Sequence, residues 1–208
     1  MQAVMKKLQQ SQTRPVFASH CEPYSPRRAE VEAFIAGVFA RRHAAQVKAF
    51  APNLVLLEDG RQLVAAAGWR AAQAESLFLE RYLDDLIEQA MARLANQQVK
   101  REAIVEVGNL ASEKAGGSVH VILALAEHLN RLGYEWVVFT ATTELIGMFT
   151  RLGLPLLALA KADPARLGEE ARDWGNYYET QPVIVAGRIR LGLDQLGLPS
   201  VRLQGGLS

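Results

Sequence analysis

Apolar residues recur at intervals of three and four through Val31, Phe34, Ile35, Val38 and Phe39, which predicts a first helix from about residue 25 to 45. Ser25 followed by Pro26 supplies its start, a capping hydroxyl and then a ring whose fixed φ suits a first turn. Residues 53–58 (NLVLLE), the turn pair Asp59-Gly60 and residues 61–69 read as a β-hairpin. Residues 75–83 could begin as a short extended piece, after which Asp84 or Asp85 is placed to cap a helix carrying Leu86, Ile87, Ala90, Met91 and Leu94. A strand is expected over 101–110. A helix opened by Gly116-Gly117-Ser118 follows, with Val119, Ile122, Leu123, Ala126 and Leu129 on one stripe and Gly133 at its end. Residues 135–141 (EWVVFTA) read as a buried strand. Thr142 or Thr143 then caps a helix ending at Gly153, and strands follow at 154–160 and 182–189. Residues 1–24 read as a flexible N-terminal arm, and 191–208 as an irregular tail or small appended helix. The order is that of an α/β domain over residues 25–190, with one mixed sheet and helices on both faces.

Composition narrows the classes. The 208 residues would suffice for one large domain or two small ones, and the absence of a long linker favours one. Lys and Arg total 23 against 22 Asp and Glu, so there is no basic surplus to mark a nucleic-acid partner. A single cysteine, Cys21, excludes an internal disulfide and a zinc site built on several cysteines. Residues 1–12 hold two lysines and no apolar core of a secretory signal. The longest apolar runs, from Val119 and from Leu154, fall short of the roughly 18 residues of a membrane span. A soluble, cytoplasmic protein without a transmembrane segment is expected; oligomeric state is not legible.

The segment from Ile104 to Leu132 carries the most chemistry. A strand, a glycine turn and a helix N-terminus place free N–H groups and a positive dipole end where a phosphate could sit. The same glycines also suit a plain turn before a core helix. Neither a Gly-Lys-Ser/Thr phosphate loop nor a Gly-x-Gly-x-x-Gly run is present. His20, His43, His120 and His128 are scattered without ligand spacing, so no metal is expected. Cys21 beside His20 lacks an orienting third group, and no Gly-x-Ser-x-Gly elbow occurs. Arg41-Arg42-His43 is accounted for by the negative end of the first helix.

Several longer motifs carry a resemblance. They are residues 77–84 (LFLERYLD), 106–112 (EVGNLAS), 138–142 (VFTAT), Trp174-Gly175-x-Tyr177-Tyr178, 182–187 (PVIVAG), and Phe149-x-x-x-Gly153-Leu154. Together they resemble the bacterial thermostable hemolysin family, within the Gcn5-related N-acetyltransferase fold, and are similar to acyl-homoserine-lactone synthases. The resemblance implies a mostly antiparallel sheet whose central strands, near 104–110 and 135–141, splay apart. It implies an acyl-CoA or acyl-phosphopantetheine donor, held by Ala111, Gly116, Gly117 and Ser118, and a small-molecule amine acceptor, with an acyl carrier protein as one form of donor. Glu106 is then the expected proton acceptor, and Asn109, Thr140, Thr142, Tyr177, Tyr178 and Glu80 the expected substrate contacts. The chain departs from the pattern twice. Asn109 stands where the lactone synthases place an arginine, and Phe149 where many acetyltransferases place a thiolate-protonating tyrosine. The family's name also raises a membrane-lytic function, and the missing tyrosine raises thioester binding without turnover.

Overall fold

In the computed structural model, which describes residues 16–60, 62–113 and 117–197, the hairpin of β2 (Asn53–Asp59) and β3 (Gln62–Ala71) forms as its alternation predicts. One set of its side chains, including Val55, Leu57, Ala65 and Trp69, packs under α3 (Gly117–Arg131). The other set, including Leu54, Leu56 and Ala66, packs under α1 (Arg28–His43) through Val31, Ile35, Val38 and Phe39. This two-faced burial is the consequence of side chains alternating across a strand.

The full sheet adds β1 (Val16–Cys21), β4 (Ile104–Ser112), β5 (Trp136–Ala141), β6 (Leu157–Lys161) and β7 (Val183–Arg188). Its order is β1-β2-β3-β4-β5-β7-β6. Among the described residues only β4 and β5 run parallel, and every other neighbouring pair is antiparallel. The α1 face also carries α2 (Ile87–Ala95) and the 3₁₀ turns Phe78–Tyr82, Pro164–Trp174 and Tyr177–Thr180. The opposite face carries α3, α4 (Thr143–Arg151) and α5 (Ile189–Gln195).

Three expectations change, and one alternative is settled. The arm supposed for residues 1–24 gives way to structure at Val16, where β1 pairs antiparallel with β2 and buries Cys21 in the α1 core. Residues 78–82 form a 3₁₀ turn, not an extended piece. Neither Asp84 nor Asp85 caps α2: Leu86 occupies that position, and the Ile87 N–H is satisfied instead by Glu80 Oε1 at 3.0 Å. Of the irregular tail and the small appended helix expected after residue 190, the helix forms as α5, whose Leu193 is buried beside Val121 and Leu125; residues 198–208 lie outside the described residues. Among the described residues no helix is long and apolar enough to cross a membrane.

One irregularity shapes the centre. The register of β3 on β4 passes from Ala66↔Ala111 to Gly68↔Gly108, so Asn109 and Leu110 together oppose Ala67. Asn109 sits at φ 50°, a left-handed conformation that asparagine tolerates better than most residues. Its Oδ1 accepts the Ala51 N–H at 2.8 Å. Such a bulge bends its strand. The β4–β5 ladder runs from Ile104↔Trp136 only to Val107↔Phe139, after which the two strands diverge as the resemblance implied.

Candidate functional site

The divergence opens a cleft of about 1270 Å³ that reaches both faces of the sheet. On the α3 side its walls are apolar, with Ile122, Leu145, Met148, Phe149, Leu156 and Leu193 among them. On the α1 side they are aromatic and polar: Phe39, His43, Arg70, Phe78, Trp174 and Tyr177. The two chambers meet where β4 and β5 part, since Val107 and Phe139 line the same cleft as Glu106 and Thr140.

Glu106 borders this cleft but is only 6% exposed. Its Oε2 accepts the Phe78 N–H at 2.8 Å and its Oε1 the Leu79 N–H at 2.9 Å. Arg70, opposite it on β3, brings its Nε to 3.3 Å of Oε2. Burial pushes the carboxyl up, against the downward pull of Arg70 and the two N–H groups. Both oxygens are therefore committed to fixing the Phe78–Tyr82 turn as a wall of the cleft.

Glu80 is a correction. It does not line the cleft: it accepts the Leu77 and Ile87 N–H groups and pairs with Arg101 at 2.6 Å. It is a joint between the 3₁₀ turn, α2 and the start of β4. Tyr178 is another: it does not line the cleft, and its hydroxyl meets at 2.6 Å that of Tyr82, which does. Tyr177 does line the cleft, and burial pushes its phenol up. Thr140 and Thr142 line it too; the Thr142 hydroxyl caps α4 by accepting the Leu145 N–H. Asn109 reaches the cleft while holding the Ala49–Ala51 backbone through its amide.

The donor-binding set divides as well. Ser118 lines the cleft. Ala111 is instead buried in the α1 core. Gly117 has a packing role: a Cβ there would stand 2.3 Å from Ser112 Oγ. Gly116 lies outside the described residues.

Two cleft residues escaped the sequence reading. Arg70 ends a strand with no motif around it. The dipole of α1 accounts for a basic residue at position 43, yet His43 also lines the cleft, its ring 5.3 Å from that of Tyr177. The signal that could have found it is non-local, namely the Trp174–Tyr178 run that closes over the end of α1. Among the described residues no group of three or more His, Cys, Asp or Glu could hold a metal.

Comparison with solved structures gives the fold a wider setting. The AHL synthase LasI superposes with a TM-score of 0.61 at 13% identity, over 91% of this chain and 98% of its own. FeeM, an N-acyl amino acid synthase from uncultured soil microbes, gives 0.60 at 13% identity over 89% and 96%. BjaI, a CoA-dependent acyl-homoserine lactone synthase with SAM and isopentyl-CoA, gives 0.55 at 13% identity over 93% and 95%. At such identities the likeness is one of fold. No curated protein matches the chain. The model of the thermostable hemolysin family matches residues 21–193, and the chain belongs to that family.

Proposed function

We propose that the protein transfers an acyl group from a thioester, carried by CoA or by an acyl carrier protein, to the amine of a small acceptor. The observation that carries this reading is the two-sided cleft: an apolar chamber and a polar aromatic chamber joined at the parting of β4 and β5. An acyl chain suits the first chamber, burying methylenes at about 0.8 kcal/mol each. A polar amine suits the second, between Arg70, His43 and Tyr177. The thioester carbonyl then lies at the junction, where the edge of β4 that has left β5 offers backbone N–H groups to the developing oxyanion. Ser118, at the start of α3, is placed to meet the donor's phosphate, aided by the helix dipole.

Glu106 enters as a positioning residue. Its two N–H contacts and Arg70 hold the Phe78 turn, so that the acceptor chamber keeps its shape. The named functions of LasI, FeeM and BjaI support the class of reaction. Such donors belong to the cytoplasm, and the reading puts the protein there.

The test uses the full chain with butanoyl-, octanoyl-, dodecanoyl- and hexadecanoyl-CoA and the corresponding acyl carrier proteins, against the twenty amino acids and homoserine lactone. Thiol release and a new amide mass are expected for at least one pair. No donor binding by calorimetry would overturn the reading, and leakage of anionic vesicles without a donor would favour the lytic one.

A further inference from the structure

We infer that His43 carries the proton of this transfer, taking it from the acceptor amine and returning it to the departing sulfur. The inference rests on the acyl-transfer reading and adds the group that reading lacks. Glu106 is 6% exposed, already accepts two backbone N–H groups and faces Arg70, and Phe149 has no proton to give. Two other acids on the acceptor side are spoken for: Asp173 by Lys48 and Glu170 by Arg81. Glu144 and Glu179 are solvent-exposed at the rim.

His43 is held in place unusually firmly for the last residue of a helix. The Asn176 N–H donates to the His43 carbonyl at 2.9 Å, and the Asn176 side chain is near enough to the ring to raise its pKa. Gly175 lies so close that a Cβ would stand 2.0 Å from the His43 carbonyl oxygen, and its φ of 55° is itself one that favours glycine. Tyr177 meets the ring edge-to-face at 5.3 Å, and Phe39, itself 6.5 Å from Tyr177, packs 6.0 Å from it. A ring packed by two aromatic neighbours on the cleft wall, on a residue whose carbonyl is pinned by the Asn176 N–H, has the setting of an oriented general base.

The charges around it act in both directions. Burial, the largest effect, lowers the ring's pKa; the Asn176 side chain raises it, Arg42 on the same helix lowers it, and Glu144 across the cleft on α4 raises it. The net direction is downward, so the imidazole is neutral near pH 7 with a lone pair to offer.

The step balances without a further reactant. The neutral amine adds its lone pair to the thioester carbonyl carbon, forming the C–N bond and an oxyanion. His43 takes the N–H proton. Collapse of the tetrahedral species breaks the C–S bond, and the imidazolium delivers that proton to the thiolate. Amide and free thiol leave, with His43 neutral again.

The test compares wild type with His43→Gln, His43→Ala and Asn176→Ala, using the donor and acceptor pair found above. His43→Gln is expected to lower kcat by roughly 10²-fold or more, the usual range for a general base, with donor Kd unchanged. The wild-type rate should fall on an acid limb below about pH 6.5, the ordinary histidine value. That limb should vanish in His43→Gln, and added imidazole should restore part of the activity of His43→Ala. Asn176→Ala, a positioning change, should move the limb and reduce kcat less. Should the variants fail to fold, NMR titration of the His43 ring in wild type must reproduce the pH of the limb; a mismatch overturns the inference. A folded His43→Gln that turns over at the wild-type rate with its limb intact overturns it alone. A wild type that binds no thioester overturns the acyl-transfer reading and this inference together.

Discussion

Gly117, the first residue of α3, lies against the side chain of Ser112, the last of β4, so closely that a Cβ would stand 2.3 Å from the serine Oγ. Gly117→Ala should therefore lose stability by about 1–3 kcal/mol from overpacking, despite the gain in helix propensity of about 1 kcal/mol. Adding Ser112→Ala removes the opposing oxygen and should recover part of the loss. Urea denaturation of both variants checks this; a Gly117→Ala protein as stable as wild type would show that the contact relaxes at no cost.

Glu106→Gln should weaken the fold before it weakens any chemistry. An amide offers one oxygen where two N–H donors, from Phe78 and Leu79, now find two. One donor then faces an NH₂ group in a buried place, a loss of about 1–3 kcal/mol. Hydrogen exchange should rise at Phe78 and Leu79 while β2 and β3 remain protected.

Acid should destabilise the protein through a pair of histidines between β1 and α3. His20 on β1 stacks on His128 of α3 with ring centroids 3.7 Å apart, and Trp69 lies 5.9 Å from His128. Burial first, then His20 and Arg131, lower the His128 pKa to about 4; burial and Arg131 lower that of His20. Between about pH 6.5 and pH 4 the unfolded chain binds more protons than the folded one, so stability falls as pH falls through that window. His128→Phe should flatten the decline. Melting temperatures at several pH values between 7.5 and 4 would reveal it.

If the apolar chamber holds the acyl chain, Ile122→Trp should favour shorter donors. Ile122 lines that chamber from α3. Relative kcat/KM for the longest accepted donor should fall by roughly tenfold, the lower end of what a hydrophobic pocket discriminates for one methylene. An unchanged chain-length profile would remove Ile122 from the acyl wall.

The legible parts of the molecule are those whose causes are local. The hairpin at residues 53–71 follows from alternation and a turn pair, and Thr142 caps α4 from the position its hydroxyl announces. What the sequence hid depends on partners remote along the chain. β1 is a strand because β2 pairs with it, and its own Ser19 and His20 argue for a polar arm. The Phe78 turn is fixed by Glu106, 28 residues away. The site shows the same division. Glu106, Thr140 and Thr142 reach the cleft from the expected strands, whereas Glu80 turns away to meet Arg101 and Tyr178 stands behind the cleft-lining Tyr82. His43 enters through Asn176, which neither end of α1 foreshadows.

The short parallel ladder from Ile104↔Trp136 to Val107↔Phe139 is the sheet's own connection between its first four strands and its last three. Each side of it is an antiparallel set, and the seam between them needs a chain crossover through α3. A molecule filling the gap would span both plates and brace them, so heat resistance and occupancy of the cleft would rise together.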